Sequence, residues 1–174
     1  MKYSILIAVL SLVLVMSSCH EKPQPTAPSS DRELKESLEK ANRVMASEEE
    51  EDIVNFVRRH QWEMVSTGTG MRYQIVKTGQ GPLIQQGQRV TAEYALYDIF
   101  GDVVYCSDTE GLMDFVVGYG GAVDGIDEAI RHLHVGDQAR VIVPSHLGYG
   151  LVGDQKKVPG RATLIYTLNI LKAE

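Results

Sequence analysis

The segment "VDGIDEAIRHLHVGDQARVIVPSHLGYG", residues 123–150, decides the fold class because a helical pattern passes into a strand pattern within it. Its first part places four apolar side chains on one face of a helix: Ile126, Ala129, Ile130 and Leu133. Asp124 stands directly before that pattern and is a candidate N-cap. The letters "QARVIVP", residues 138–144, then alternate with the period of a strand. The segment therefore predicts one short helix followed by a strand.

The sequence on either side of this segment adds strands. From Trp62 onward, apolar residues recur with a period of two. Further strand patterns are "QRVTAEYALYD" (88–98), "MDFVVG" (113–118) and "ATLIYTLNILK" (162–172). Many strands and one helix within residues 61–174 favour an α+β domain, in which an antiparallel sheet folds over the short helix.

A helical region precedes this domain, over residues 31–60. Two capping boxes lie in it, "SDRE" from Ser30 and "SEEE" from Ser47. The apolar stripes that follow them are Leu34, Leu38, Ala41 and Met45, then Ile53, Phe56, Val57 and His60. Acidic residues at 48–52 suit a helix N-terminus, so two consecutive helices are favoured over one kinked helix.

Two roles for this helical region are open at the level of the sequence. The stripes pack on the following domain in one interpretation, and they form a homodimer or a client-binding arm in the other. The first stripe spans less than two heptads, which is short for a coiled coil. In either case we expect the following domain to fold without residues 31–60.

The first residues are typical of an export signal. One Lys, the apolar run "ILIAVLSLVLVM" and the small residues after it predict a signal peptide at residues 1–18. The run is short for a transmembrane helix, which needs about 20 apolar residues. Residues 19–30 then read as a solvated, Pro-rich linker.

The end of that signal, Ser17-Ser18-Cys19, resembles the lipobox of bacterial lipoproteins, although Met16 stands where that family usually has Leu. The resemblance implies that Cys19 is lipidated and that acyl chains anchor the protein to a membrane. His20 after the cysteine, where an Asp would suggest the inner membrane, favours the outer membrane of a bacterial envelope, on the side facing the periplasm. The alternative is an ordinary, unlipidated secretory peptide.

Composition excludes several classes of function. The 174 residues have a formal net charge of -6, and no long basic run suggests a nucleic-acid partner. His132, His134 and His146 match no zinc-binding spacing, so no metal or other cofactor is expected. The chain has two cysteines, and a lipidated Cys19 would leave Cys106 without a disulfide partner.

Three segments carry a family resemblance: "GQRVTAEYALYD", residues 123–150 quoted above, and "VPGRATLIYTLNILK". In order and spacing they resemble the FK506-binding-protein (FKBP) family of peptidyl-prolyl cis-trans isomerases across residues 70–174. The lipobox, the acidic helical preface and "PSHLGYG" together are similar to the gliding-motility-associated lipoproteins of that family. The resemblance implies an FKBP-like antiparallel sheet wrapped over one short helix.

The resemblance also implies a proline-binding pocket. Its implied catalytic residues are Tyr94, Tyr105, Cys106, Val123, Ile126, Tyr149 and Tyr166. Its implied substrate-binding residues are Met113, Phe115, Ala122 and Val158. The N–H of Val123 and the hydroxyl of Tyr149 would bond substrate carbonyls. Three positions depart from the family pattern: Cys106 replaces a common Asp, Ile126 a common Trp, and Met113 a common aromatic residue.

The implied function is the isomerisation of X-Pro bonds in exported proteins, by desolvating and twisting the amide in an apolar pocket. Proline-containing polypeptides would be the clients. The alternative is a weakly active or inactive proline-segment binding module, or holdase, that acts in the assembly of an envelope machine. Cys106 and Ile126 favour the alternative, and the pocket-lining Tyr and Val positions favour the isomerase. We expect Cys106 to lie at the pocket edge without acting as a nucleophile.

Overall fold

The computed structural model describes residues 31–174. The helices are α1 (Asp31–His60), α2 (Ser107–Glu110) and α3 (Asp124–Ile130), with a 3₁₀ turn at Ser145–Leu147. The strands are β1 (Val65–Ser66), β2 (Arg72–Lys77), β3 (Arg89–Tyr97), β4 (Val103–Cys106), β5 (Met113–Val116), β6 (Gln138–Val143) and β7 (Leu164–Ala173). The predicted α+β class is confirmed. The sequence analysis missed α2 and the 3₁₀ turn, which are too short to show a period.

Helix α1 is continuous over 30 residues, so the prediction of two consecutive helices is wrong. No Gly or Pro interrupts it. The acidic run that suggested a second N-terminus serves tertiary contacts instead, since Glu49 accepts hydrogen bonds from the hydroxyls of Ser145 and Thr163. The Glu49 carboxylate therefore stabilises packing within the domain rather than the start of a helix.

Contacts divide the described chain after Lys40, and the two parts are described separately. In residues 31–40 every side chain is exposed, including Leu34 and Leu38. Arg32 and Glu36 form an ion pair one turn apart, which contributes about 0.3–0.5 kcal/mol. The second part, Ala41–Glu174, contains the rest of α1 together with the sheet.

The sheet formed by residues 65–173 has seven antiparallel strands. Its order is β1-β2-β6-β7-β3-β4, and β5 also pairs with β3. Strand β3 organises this sheet because it pairs with β7 along its length, with β5 at its first half and with β4 at its second half. The connection between β4 and β5, which contains α2, therefore stays beside one edge of β3.

Strand alternation sorts the side chains of the sheet onto two apolar faces. On the side that we call the α3 face, residues such as Val141 and Leu164 pack with α3 in the larger core cluster. On the opposite side, the α1 face, the buried members of a smaller cluster are Ile53, Phe56, Ile142 and Ile165. Two of these four come from α1, so the second half of α1 is part of the core. This burial counts against the expectation that the following domain folds without residues 31–60, which stays a prediction.

Helix α3 begins at Asp124, and Val123 before it is the extended N-cap residue, without a side-chain cap. The prediction that Asp124 caps the helix is therefore wrong by one position. Asp124 still lies in the first turn, where its carboxylate favours the positive end of the helix dipole. Gly125 permits close packing of α3 on β6, because a Cβ atom there would overlap the side chain of Val143. The close approach holds the start of α3 against the sheet.

Candidate active site

A cavity of about 290 Å³ opens on the α3 face, between β3, β4, β5, β7 and the start of α3. Most of the residues predicted for a proline pocket line it: Tyr94, Tyr105, Met113, Ala122, Val123, Ile126, Tyr149 and Tyr166. A recess of about 330 Å³ adjoins this cavity and shares several of its residues. The recess adds two charged side chains, Asp154 and Lys156.

Four tyrosines from four parts of the fold converge on the cavity. Tyr94 lies on β3, Tyr105 on β4 and Tyr166 on β7, and Tyr149 follows the 3₁₀ turn. The ring centroids of Tyr94 and Tyr166 are 6.4 Å apart. Each tyrosine contributes an apolar ring and a polar tip. The cavity therefore combines apolar walls with hydroxyl groups.

The start of α3 supplies a floor and a backbone donor. Ile126 is fully buried and forms the floor of the cavity. The carbonyl of Val123 accepts hydrogen bonds from the N–H groups of Ile126 and Asp127. Within residues 31–174 the N–H of Val123 has no acceptor. A free N–H at the wall of a cavity can donate to the carbonyl of a bound peptide.

Tyr105 donates a hydrogen bond to the Asp154 carboxylate, which links β4 to the loop before β7. This hydrogen bond, with burial and the negative charge of Asp154, raises the pKa of Tyr105 to about 12. Burial alone would raise the pKa of Asp154. Hydrogen bonds from Tyr105 and from the N–H groups of Lys156, Val158 and Lys157 outweigh burial and hold that pKa below its ordinary value. Asp154 is therefore ionised, and Tyr105 neutral, at neutral pH.

The other three tyrosines also keep their protons at neutral pH. Burial raises the pKa of Tyr166 far above its ordinary value, and the neighbouring tyrosines raise it further. Burial and the charge of Asp154 raise the pKa of Tyr149, while its hydrogen bond with Tyr166 acts in the opposite direction. Burial, followed by the charge of Glu110, raises the pKa of Tyr94. All four hydroxyls are therefore donors rather than phenolates.

The loop that carries Tyr149 is tied to helix α1 through Glu49. One carboxylate oxygen of Glu49 accepts the Ser145 N–H and the Thr163 hydroxyl, each at 2.7 Å, and the other accepts the Ser145 hydroxyl at 2.7 Å. The Ser145 carbonyl in turn accepts the N–H groups of Gly148 and Gly150, on either side of Tyr149. Glu49 thus anchors the turn that presents Tyr149 to the cavity.

Three predicted residues do not line the cavity. Cys106 pairs with Ala95 while Tyr105 pairs with Leu96, so strand alternation points the thiol away from the α3 face. There the sulfur lies 3.6 Å from the Thr109 hydroxyl. The other two, Phe115 and Val158, are buried in the core cluster beneath the cavity wall. The prediction of Cys106 at the pocket edge is corrected accordingly.

Two residues that the sequence analysis did not select contribute to the site. Asp154 holds Tyr105, and Glu49 holds the turn before Tyr149. The only sequence signal for Asp154 was a lone carboxylate between Gly153 and a basic pair in a loop. Glu49 was hidden in a run of four glutamates, where nothing in the sequence separates the half-buried one from its neighbours. Both contacts join residues far apart in the chain.

Among residues 31–174, no three or more His, Cys, Asp or Glu side chains are grouped so that they could hold a metal ion. The same described part of the chain contains no helix with the length and apolarity needed to cross a membrane. The predicted signal peptide, the lipidation site at Cys19 and the Pro-rich linker lie outside the described residues.

Comparison with known proteins assigns the family. A profile of the FKBP-type peptidyl-prolyl cis-trans isomerase family matches residues 81–171. FK506-binding protein 1 of Gibberella zeae is 34% identical over 108 residues, which cover 59% of this chain and 97% of that protein. Peptidyl-prolyl cis-trans isomerase FKBP9 of Rattus norvegicus is 41% identical over 59 residues, 34% of this chain and only 10% of that longer protein.

Solved structures agree on the fold. AtFKBP13 superposes with a TM-score of 0.62 at 22% identity, over 65% of this chain and all of that chain. A peptidyl-prolyl cis-trans isomerase from Pseudomonas syringae pv. tomato superposes with a TM-score of 0.62 at 16% identity, over 76% of this chain and 95% of that one. With its sheet, its short helix and its tyrosine-lined cavity, the chain belongs to the FKBP-type peptidyl-prolyl cis-trans isomerase family.

Proposed function

We propose that the chain catalyses cis-trans isomerisation of X-Pro bonds in polypeptides that have been exported from the cytoplasm. The observation that supports this most directly is the pairing of a buried apolar floor, Ile126, with an unbonded N–H at Val123 in one tyrosine-lined cavity. The cavity places these donors beside apolar side chains, which suits a prolyl ring and its flanking carbonyls, and Glu110 and Asp114 also line it.

The mechanism follows from the physics of the amide bond. Rotation about X-Pro breaks amide resonance and meets a barrier of about 18–20 kcal/mol. Water favours the charge-separated resonance form, so a site that removes water favours the twisted amide. The Val123 N–H and the Tyr149 hydroxyl would hold the flanking carbonyls, and the ring would rest on Ile126. No covalent step and no proton transfer are required, which agrees with four tyrosines that stay protonated.

A protease-coupled prolyl isomerisation assay on the full chain tests this proposal. We expect measurable acceleration, and Tyr149→Phe should reduce kcat/KM about two- to tenfold, the value of one hydrogen bond. Tyr119→Phe is the matched control, because Tyr119 is 76% exposed and outside the cavity. An equal loss of kcat/KM in Tyr149→Phe and Tyr119→Phe would contradict the role of Tyr149.

The alternative proposal is a proline-segment binding module, or holdase, with little turnover, that acts in the assembly of an envelope machine. Ile126, in place of an aromatic floor, is the observation that favours it, since a smaller floor holds the prolyl ring less tightly. The same assay separates the two functions. Saturable binding of a proline peptide without acceleration, in the parent protein and not in Tyr149→Phe, would support the module and contradict the isomerase.

We further propose that the protein is a lipid-anchored envelope member of its family, akin to the gliding-motility-associated lipoproteins. The support is the sequence alone, an apolar run that ends in Ser17-Ser18-Cys19. Mass spectrometry of the native protein should find acyl chains on an N-terminal Cys19, and Cys19→Ser should release the protein from outer-membrane fractions. An unmodified mature N-terminus would contradict the anchor.

A homodimer through α1 is the remaining proposal on partners. Its support is the exposure of the apolar side chains of Leu34 and Leu38 on that helix. Sedimentation should find a dimer that Leu34→Ser with Leu38→Ser converts to a monomer. A parent protein that stays monomeric at all concentrations would contradict it.

A further inference from the structure

A second cleft lies on the α1 face of the sheet, opposite the proline cavity. Its volume is about 550 Å³, which is within the range of ligand sites. Its walls are the last turn of α1, Trp62 and the loop between β3 and β4, and its floor is formed by β6 and β7. No residue of this cleft lines the proline cavity, so the proposed isomerisation leaves it without a role.

The cleft contains two packed aromatic rings, those of Phe56 and Trp62, which we call the aromatic bed, and one exposed aromatic ring at the tip of a loop. Trp62 meets Phe56 edge to face, with ring centroids 5.3 Å apart. At the tip of the β3–β4 loop, Phe100 is 89% exposed. A defined turn presents this ring, because Asp98 Oδ1 accepts the N–H groups of Phe100 and Asp102, both at 2.9 Å. These hydrogen bonds therefore fix the backbone that carries the exposed phenyl group.

Two guanidinium groups border the aromatic bed without a carboxylate partner among the described residues, those of Arg59 and Arg140. Elsewhere in the domain, Arg72 and Arg131 are paired with acidic side chains. The Arg140 guanidinium lies 4.6 Å from the centroid of the Trp62 ring, a cation–π geometry. In a chain of net charge -6, the cleft thus has two guanidinium groups against one lining carboxylate, that of Asp98, which accepts hydrogen bonds from the backbone of its own loop.

We propose that this cleft binds an acidic peptide segment that carries one large apolar side chain. The apolar side chain would lie between Trp62 and Phe100, and flanking carboxylates would pair with Arg59 and Arg140. Charge complementarity selects the acidic character, since a guanidinium pairs with a carboxylate through two parallel hydrogen bonds. The choice of a polypeptide over a small anion rests on the proposed function, which brings polypeptides to this protein.

An anionic membrane surface fits this cleft less well. Asp98 and Asp102 flank the exposed ring of Phe100 at the loop tip. If Phe100 entered an anionic membrane, both carboxylates would be brought against headgroups of the same charge. A peptide segment can instead enter between the loop and α1, where the guanidinium groups lie. Vesicle binding is therefore kept as an outcome of the test that counts against the proposal.

Trp62 gives a direct readout, because it is the single tryptophan of the chain and lines the cleft. The probe is an acetylated, proline-free peptide with one central Phe between glutamates, titrated against the full chain. We expect a saturable change in Trp62 emission that weakens at about 0.5 M salt, where screening lengths fall to a few ångströms. The same peptide with lysines for glutamates, or with Ala for Phe, should bind at least about tenfold more weakly.

Variants of the chain sharpen the assignment. Phe100→Ala should weaken peptide binding about tenfold, and Arg59→Gln about three- to tenfold, with little effect on folding because both side chains are exposed. Arg43→Gln is the matched control, an exposed arginine on the same helix outside the cleft. Tyr149→Phe should leave peptide binding unchanged, which separates the cleft from the proline cavity.

Four results of the peptide and vesicle titrations would overturn the proposal. These are no Trp62 response to the acidic peptide, an equal response to the lysine peptide, a response unaffected by both Phe100→Ala and Arg59→Gln, and a response only to vesicles of anionic phospholipid. A Trp62 change that follows protein concentration without peptide would assign the cleft to a second copy of the chain and would also overturn it. If isomerisation is absent but the peptide binds as expected, only the proposed function fails.

Discussion

The two faces of the sheet differ in what covers them and in where that cover comes from. The α3 face is closed by α3, and its cavity residues, from Tyr94 to Tyr166, all fall within the matched family region 81–171. The α1 face is closed by α1, which lies entirely outside that region. The family pattern thus accounts for one face of the sheet, and the remainder of the chain supplies the cover for the other.

This difference matters because the two faces are linked. Ile142 and Ile165 on the α1 face lie next in sequence to Val141, Val143, Leu164 and Tyr166, which belong to the α3-face cluster. Loss of the cover on one face therefore reaches the strands that build the cavity on the other. The following predictions test how independent the two faces are.

The largest effect is expected from removing the cover of the α1 face. Phe56→Ala should lower the free energy of unfolding by about 3–5 kcal/mol, because it leaves a cavity against Ile142 and Ile165. Urea unfolding measures the loss. Val54→Ala on the same helix is the control and should change stability little, since Val54 is 47% exposed. Equal stability of the two variants would mean that α1 is not part of the core.

A smaller effect is expected at the contact that joins the two faces. Glu49→Gln should lower the free energy of unfolding by about 1–3 kcal/mol, because an amide cannot accept all three hydrogen bonds made by the carboxylate. Isomerase activity should fall by more than the loss of folded protein accounts for, because the turn before Tyr149 loses its anchor. Glu48→Gln, at the exposed neighbouring position, should change neither quantity. If both variants behave alike, the anchor has no role in the site.

The Tyr105–Asp154 contact should appear in alkaline titration. Since folding raises the pKa of Tyr105 to about 12, its contribution to stability is complete below pH 10 and is lost as the pH rises through about 12. Tyrosinate absorbance should therefore reveal a late-titrating group that Tyr105→Phe removes and Asp154→Asn shifts towards pH 10. Folding instead lowers the pKa of Asp154. The contribution of Asp154 to stability is therefore present above the ordinary pKa of an Asp and is lost as the pH falls through the lowered value. An unshifted late group in Asp154→Asn would contradict the contact.

The smallest effect is expected at Cys106. Its side chain points away from the cavity, so Cys106→Ala should leave isomerase activity within about twofold and alkylation of the thiol should matter little. Cys106→Asp should bring no gain, because Asp154 already holds the Tyr105 hydroxyl. A hundredfold loss in Cys106→Ala would show a direct role for the thiol and would overturn the assignment of the two faces.

The class of fold and most members of the cavity could be predicted from local patterns in the amino-acid sequence. Period-two alternation predicted strands with α3 between them, and the resemblance in "GQRVTAEYALYD" and residues 123–150 selected Tyr94, Val123, Ile126 and Tyr149. These features are local, since each depends on residues within one element or one turn. The family correspondence fails at the end of β4, where strand alternation points the Cys106 thiol away from the cavity instead of to its edge.

Long-range packing set three features that no local pattern predicted: which of four adjacent glutamates anchors a loop, which carboxylate holds Tyr105, and what covers the α1 face. Glu49 meets Ser145 across 96 positions and Asp154 meets Tyr105 across 49. Helix α1 contains no Gly or Pro that would break it, and Glu49 within its acidic run accepts hydrogen bonds from the sheet domain instead of starting a second helix. A local sequence pattern indicates which polar and apolar groups need partners. The partners themselves depend on how distant strands and loops pack together.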